Sequence, residues 1–187
     1  TKEGEEYTVT LKDGTVLKGD NVFVSIGRRP NSDTICLENT SVKVADDGLI
    51  VVDEQCRTSV PHIFAIGDVV PGAQLAHKAS REAKVAAEVI AGENSAFDNR
   101  AVPAVVFTDP EIAWVGLTER EAIEKKEKVS VGRFPLKALG RARTLGRQDG
   151  MVKIIFDPEN QLVLGVGIVG PDASDLIAEA TLAIEMG

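Results

Sequence analysis

Short stretches in which every other residue is apolar give way, twice, to stretches with helical spacing, and these changes of period mark the elements. Tyr7 to Lys12 alternates as a strand, Asp13-Gly14 supplies a hairpin turn, and Thr15 to Lys18 begins the return strand. Val22 to Ile26 (Val-Phe-Val-Ser-Ile) reads as a further strand, closed by Gly27-Arg28-Arg29-Pro30-Asn31. Gly48 to Asp53 alternates as another, and Cys56 to Pro61 links it to Ile63–Ile66, a continuous apolar run typical of a buried strand. From Leu75 to Ile90 the period lengthens. Ala79, Ala83, Ala86, Ala87 and Ile90 recur at helical spacing, and Gly92 supplies a stop.

Near Asn99 to Pro103 the pattern changes. Val102 to Phe107 and Ile112 to Val115 read as strands around Asp109-Pro110, and Thr118-Glu-Arg-Glu121 is a capping box opening a helix to about Lys128. Val129 to Phe134, Met151 to Asp157 and Leu162 to Val169 are further strands, the last two joined by a Pro158/Asn160 turn. Asp172 or Ser174 caps a final helix with Leu176, Ile177, Ala180, Ala183 and Ile184 on one face. This half reads as an antiparallel sheet covered by helices, an α+β layer. The first half has the opposite character. A hairpin feeding one buried strand cannot make a domain alone, so its sheet needs strands that this chain does not contain.

Composition narrows the function classes. A chain of 187 residues, 43% hydrophobic and 27% charged, is ordinary for a globular protein. Its net charge of −8 argues against nucleic acid as the main partner and fits a soluble protein or one that docks a basic surface. No apolar stretch approaches the roughly 20 residues that span a bilayer, and the polar start Thr1-Lys-Glu-Gly-Glu-Glu is not a signal peptide. Two cysteines, Cys36 and Cys56, are too few for a disulfide framework, which points to a reducing cytoplasm. Both read as buried small hydrophobes; with only His62 and His77 to join them, no metal site is expected.

The most informative stretch runs from Pro61 to Lys78. A strand ends in Gly67-Asp68, a Pro/Gly loop follows, and a helix starts near Leu75. In open α/β sheets ligands lie beyond the carboxyl ends of strands, often against a helix N-terminus. Gly67 lets the backbone approach a ligand, Asp68 can accept hydrogen bonds from a polyol, and the helix start offers free N–H groups and a positive dipole end. The plain alternative is a strand–turn–helix corner with a solvated aspartate.

The wording "AIGDV…LAHKA" resembles the second flavin-binding stretch of the FAD- and NAD-dependent disulfide oxidoreductases, and within them the dihydrolipoamide dehydrogenase family. "SIGRRPN", "TDPEIAWVGLTE" and the closing "AIEMG" carry the same resemblance, so it covers nearly the whole chain. It implies α/β plus α+β: the end of an NAD-binding domain (residues 1–31), part of a Rossmann-like FAD-binding domain (32–97), and an α+β dimerisation domain with an antiparallel sheet (98–187). It also implies that Asp68 holds the ribityl chain of FAD, and that backbone N–H groups from Gln74, Leu75, Ala76 and His77 face the flavin pyrimidine carbonyl. Gly27 would lie beside the nicotinamide nucleotide of NAD; otherwise it is a turn glycine before Pro30.

By the same resemblance, the reaction is oxidation of protein-bound dihydrolipoamide with reduction of NAD+. The protein would be a cytoplasmic homodimer serving a lipoyl-bearing acyltransferase or carrier protein of a 2-oxo acid dehydrogenase or glycine cleavage complex. The family's redox-active cysteine pair and main flavin fingerprint would fall before Thr1, and its histidine base after Gly187. Neither His62 nor His77 maps onto that base, so no catalytic residue is expected in this chain and it should be inactive alone. Alternatives are a glutathione- or mercuric-reductase-like enzyme, and a dimerisation module without chemistry.

Two patterns mislead. Gly165-Val-Gly167-Ile-Val-Gly170 matches GxGxxG, but the glycines fall within a strand and Pro171 delays the helix until after the third. They read as small residues that let a helix pack closely on the sheet. The basic run Arg133, Lys137, Arg141, Arg143 and Arg147 has no aromatic platform beyond Phe134 and reads as a solvated loop.

Overall fold

A computed structural model describes residues 2–4 and 6–187. Thr1 and Glu5, part of the polar start, lie outside the described residues. β1 (Lys2–Glu3), β2 (Glu6–Thr10) and β3 (Val16–Gly19) form a small antiparallel sheet. The expected hairpin is present: Thr10 faces Val16, the Leu11 N–H donates to the Thr15 carbonyl (2.8 Å), and the Asp13 carboxylate accepts from the Thr15 N–H.

The next expected strand is absent. Val22–Ile26 pairs with nothing among the described residues, and Phe23 and Ile26 are 91% and 94% exposed. A strand exists only where a neighbour satisfies its backbone groups, and apolar alternation cannot supply that neighbour. Gly48–Asp53 and Ile63–Ile66 also fall short of strands. Each makes an isolated bridge, Val44 to Ile50 and Arg57 to Phe64. The cause is local turn chemistry: Asp53 Oδ1 accepts the N–H groups of both Gln55 and Arg57 (2.9 Å each) and folds the chain back on itself. Val42, Ile50, Ala65 and Val70 fill the small core that results.

α1 (Ala76–Ile90) forms as its spacing predicts, and only part of the alanine repeat is buried. Lys78, Glu82, Val85, Ala86 and Val89 point inward, whereas Ala87 and Ile90 are exposed. The segment after α1 ties the two halves together. Arg81 Nε donates to Asn99 Oδ1 (3.3 Å), and the Ala101 N–H donates to the Glu185 carboxylate (2.9 Å).

The second half is the expected α+β layer. β4 (Ala104–Val106), β5 (Glu111–Gly116), β6 (Ser130–Pro135), β7 (Met151–Phe156) and β8 (Val163–Gly170) form one antiparallel sheet in the order β4-β5-β8-β7-β6. α4 (Ala173–Met186) covers one face, where Ala113, Val115, Val166 and Ile168 meet Ala173, Ile177 and Ile184. Leu176 and Ala183, expected on that face, are exposed. α2 (Glu119–Lys125) carries the complete capping box: Thr118 Oγ1 accepts from the Glu121 N–H (3.2 Å), and Glu121 accepts from the Thr118 N–H (2.8 Å).

Three details depart from expectation. Asp172 adopts a left-handed backbone and its side chain caps nothing; Glu111 of β5 instead accepts the Ser174 N–H at 2.9 Å. That hydrogen bond holds the Glu111 carboxyl below the usual range. The basic run is not all loop, since α3 (Gly140–Thr144) lies within it. Its outer members are also paired, Arg133 with Glu119 and Arg147 with Asp109 and Asp149. The β8 glycines do lie inside the strand, but α4 does not explain Gly165. A Cβ there would run into the backbone of Leu117, while one at Gly167 would meet open space.

Candidate functional site

Gly67, Asp68 and the start of α1 come together as the sequence suggests. Ile66 is extended, Gly67 turns the chain with φ +78°, and Gly67–Val69 forms a single 3-10 turn. A glycine is required there, because an L residue would be strained and its Cβ would press on Ala79 at 3.3 Å. The turn leaves the Asp68 carboxylate half exposed, with Arg28 Nη1 3.7 Å away. Gln74 closes the loop: its Nε2 donates to the Asp68 carbonyl (3.2 Å), and its own carbonyl accepts from Arg28.

No side chain caps α1, and no acidic residue stands in its first turn. The Leu75 N–H is committed to the Ala73 carbonyl (3.1 Å). The N–H groups of Ala76 and His77 have no acceptor among the described residues, so the positive end of α1 is open for an acceptor from outside the chain. His77 sits one residue into the helix, and its ring Nε2 lies 2.7 Å from the Pro103 carbonyl, so the side chain faces the second half of the molecule. Gly27 is exposed, and a Cβ on it would meet nothing within 4 Å. Its neighbour Arg28 is what reaches the Asp68 turn.

Beneath this surface lies a pair that the sequence reading did not single out for the site. Glu82 Oε2 accepts the Gly67 N–H at 2.8 Å, and Glu82 Oε1 forms an ion pair with Lys78 Nζ at 2.5 Å. Both side chains are at least nine-tenths buried. Lys78 and Glu82 stand one helical turn apart on the inward stripe, a spacing visible in the sequence. Their position against Gly67 was not visible.

The cysteines separate. Cys56 is buried as expected. Burial pushes its thiol up, and the nearby Glu82 and Asp53 carboxylates add to that. Cys36 is exposed, because it occupies a left-handed turn before a 3-10 segment instead of a strand. Labelling with a chromogenic disulfide should therefore modify one thiol per folded chain quickly, and the second only after denaturant. A Cys36→Ser variant should lose the fast phase. Among the described residues, no three His, Cys, Asp or Glu side chains gather where a metal ion could be held, and no helix is long and apolar enough to cross a membrane.

Comparison with known proteins agrees with this architecture. Residues 1–83 match the pyridine nucleotide-disulphide oxidoreductase family, and residues 102–187 match that family's dimerisation domain. The chain is 51% identical, over its whole length, to 40% of the dihydrolipoyl dehydrogenase of Halobacterium salinarum. It is 54% identical, over 91% of its length, to 36% of the Geobacillus stearothermophilus enzyme of the same name. The chain thus spans about two fifths of the curated relatives it matches. The HOCl-induced flavoprotein disulfide reductase RclA from Escherichia coli superposes with a TM-score of 0.86 at 28% identity, over 99% of this chain and 43% of RclA. With 169 of its 187 residues inside the two matched regions, 83 in one and 86 in the other, the chain belongs to the pyridine nucleotide-disulphide oxidoreductase family.

Proposed function

We propose that the protein to which this chain belongs oxidises protein-bound dihydrolipoamide with reduction of NAD+, and that the chain supplies part of the FAD site and the subunit interface. The observation that carries this is 51% identity along the entire chain to a dihydrolipoyl dehydrogenase. In that reaction the dithiol becomes a disulfide and gives up two electrons and two protons. NAD+ takes the electrons with one proton as hydride, and the second proton leaves to solvent. FAD, when bound, carries the electron pair between the two.

The residues at the Asp68 turn fit such a group. Asp68 is open to accept from ribityl hydroxyls, and the free N–H groups of Ala76 and His77 suit a carbonyl that gains negative charge. Gln74 and Leu75 shape the loop between them, the Gln74 side chain donating to the Asp68 carbonyl and the Leu75 N–H to the Ala73 carbonyl. Gly27 lies in the segment we assign to the NAD-binding domain, residues 1–31. Residues 32–97 belong to the FAD-binding domain and 98–187 to the dimer interface, where α4 leaves Leu182 and Met186 62% and 76% exposed. The protein would be a cytoplasmic homodimer that serves a lipoyl-bearing acyltransferase or carrier protein.

The test uses the full-length protein. It should hold FAD, form a two-fold dimer by light scattering, and reduce NAD+ with dihydrolipoamide; residues 1–187 alone, with FAD added, should not turn over. Asp68→Ala should weaken flavin retention by about 1.5–3 kcal/mol, the worth of a charge-assisted hydrogen bond. A full yellow complement in that variant would remove Asp68 from the site. Inactivity toward dihydrolipoamide, with reduction of another disulfide or of mercuric ion, would favour a different reductase. RclA's similarity keeps that second reading in view.

A further inference from the structure

We propose that Glu82, charge-balanced by Lys78, is a positioning residue for the flavin: it holds the Gly67 amide and so fixes where the turn presents Asp68. This deepens the reading of the Asp68 turn as part of the FAD site and rests on it.

The Gly67 N–H is buried and its only acceptor among the described residues is Glu82 Oε2, at 2.8 Å. Ala79 of the same helix leaves no room for a side chain on Gly67, since a Cβ there would lie 3.3 Å from the Ala79 Cβ, so α1 holds the turn through Glu82 and admits only glycine at its start. A carboxylate at 7% exposure needs a counter-charge, and Lys78, at 5% exposure and one turn earlier, supplies it at 2.5 Å. Among the described residues Lys78 Nζ has no hydrogen-bond acceptor of good geometry, and the ion pair with Glu82 is the polar contact that balances its charge. The lysine stem is roofed by Gly72, where a Cβ would come within 2.9 Å of its Cε. The pair therefore underlies both the Gly67 end and the loop that leads to Gln74 and the open N-terminus of α1.

Packing alone does not call for this arrangement. Two apolar side chains of similar volume usually serve a buried site as well as an ion pair does. What they cannot do is accept the Gly67 N–H.

That difference defines the experiment, on the full-length protein with FAD as the probe. Lys78→Met with Glu82→Gln removes both charges and keeps an oxygen for Gly67, leaving the two N–H donors of the amide unpaired. Lys78→Met with Glu82→Met removes the charges and the oxygen, leaving the Gly67 N–H unpaired. The glutamine variant strands two buried donors and the methionine variant one, so the glutamine variant should have a urea midpoint no higher than the methionine variant, and tighter FAD binding by it cannot come from stability. FAD affinity of the apoprotein should stay within about threefold of wild type in the glutamine variant and fall roughly tenfold or more in the methionine variant. Glu82→Asp, which keeps the charge pair but shortens its reach, should fold and weaken FAD several-fold. Equal FAD affinity in the two double variants, or unchanged affinity in Glu82→Asp, overturns the positioning role and leaves the flavin site standing. A wild-type protein that binds no FAD is the separate failure of the site reading, and takes this inference with it.

Discussion

Gly165→Val should unfold the antiparallel layer or come close to it, with a loss of at least ~4 kcal/mol, beyond what most single substitutions cause. Gly165 faces Gly116 across β5 and β8, where the chain leaves β5 and passes over its neighbour. A Cβ at Gly165 would overlap the carbonyl oxygen of Leu117 and lie 2.8 Å from the Leu117 nitrogen. That nitrogen donates to the Leu164 carbonyl at 2.8 Å, so relief requires breaking a backbone hydrogen bond rather than turning a side chain. Gly116, with φ +71°, leaves no room on the other side, because its own Cβ position is blocked by the Leu164 carbonyl and Ile184. Gly167→Ala is the control. It lies two residues along the same strand, faces open space, and should change stability by no more than about 1 kcal/mol. Trp114, the only tryptophan, pairs with Gly167 and reports on this sheet directly, so urea titrations followed by its fluorescence compare the two variants. Near-equal midpoints would show that the corner at Leu117 yields more easily than its geometry implies. The comparison also tests the meaning of the GxGxxG match, since a nucleotide fingerprint would make both glycines indispensable to a ligand rather than one of them to a strand crossing.

The two halves were legible to different degrees. In the second half every strand finds its partner within the chain, so alternation sufficed: Ile112–Val115, Met151–Asp157 and Leu162–Val169 all form strands close to where the pattern puts them. The capping box Thr118/Glu121 was legible because it is local, four residues that satisfy one another. The α4 cap was not, because its acceptor, Glu111, is 63 residues away in sequence. In the first half the pattern at Val22–Ile26 is as good as any, yet no strand among the described residues pairs with it. Gly48–Asp53 failed for another reason, as Asp53 draws the chain into a turn before a ladder can extend. Asp68 and the α1 start were readable from strand–glycine–acid–helix order. The helix itself was legible from its spacing, but not what it buries, since no hydrophobicity pattern would place a Lys–Glu pair inside.

That buried pair carries the second large effect. Glu82→Leu should cost this chain about 3–5 kcal/mol, although leucine is as good a helix former as glutamate. The substitution leaves the Lys78 ammonium, at 5% exposure, without a counter-charge and strands the buried Gly67 N–H. Lys78→Met should cost less, because the remaining carboxylate still accepts the Gly67 N–H and part of its charge is thereby compensated. Combining the two should recover most of the loss, since the interior then holds no charge and one orphan donor. The measurement is a double-mutant cycle from urea unfolding of residues 1–187, read by far-ultraviolet circular dichroism so that α1 contributes. The expected sign is a double variant more stable than Glu82→Leu alone, with a coupling of roughly 2–3 kcal/mol between the sites. Additive losses would mean that each side chain acts by its own packing and that the charges find water in solution. A Glu82→Leu chain within 1 kcal/mol of wild type would mean that Gly67 does not depend on this acceptor at all.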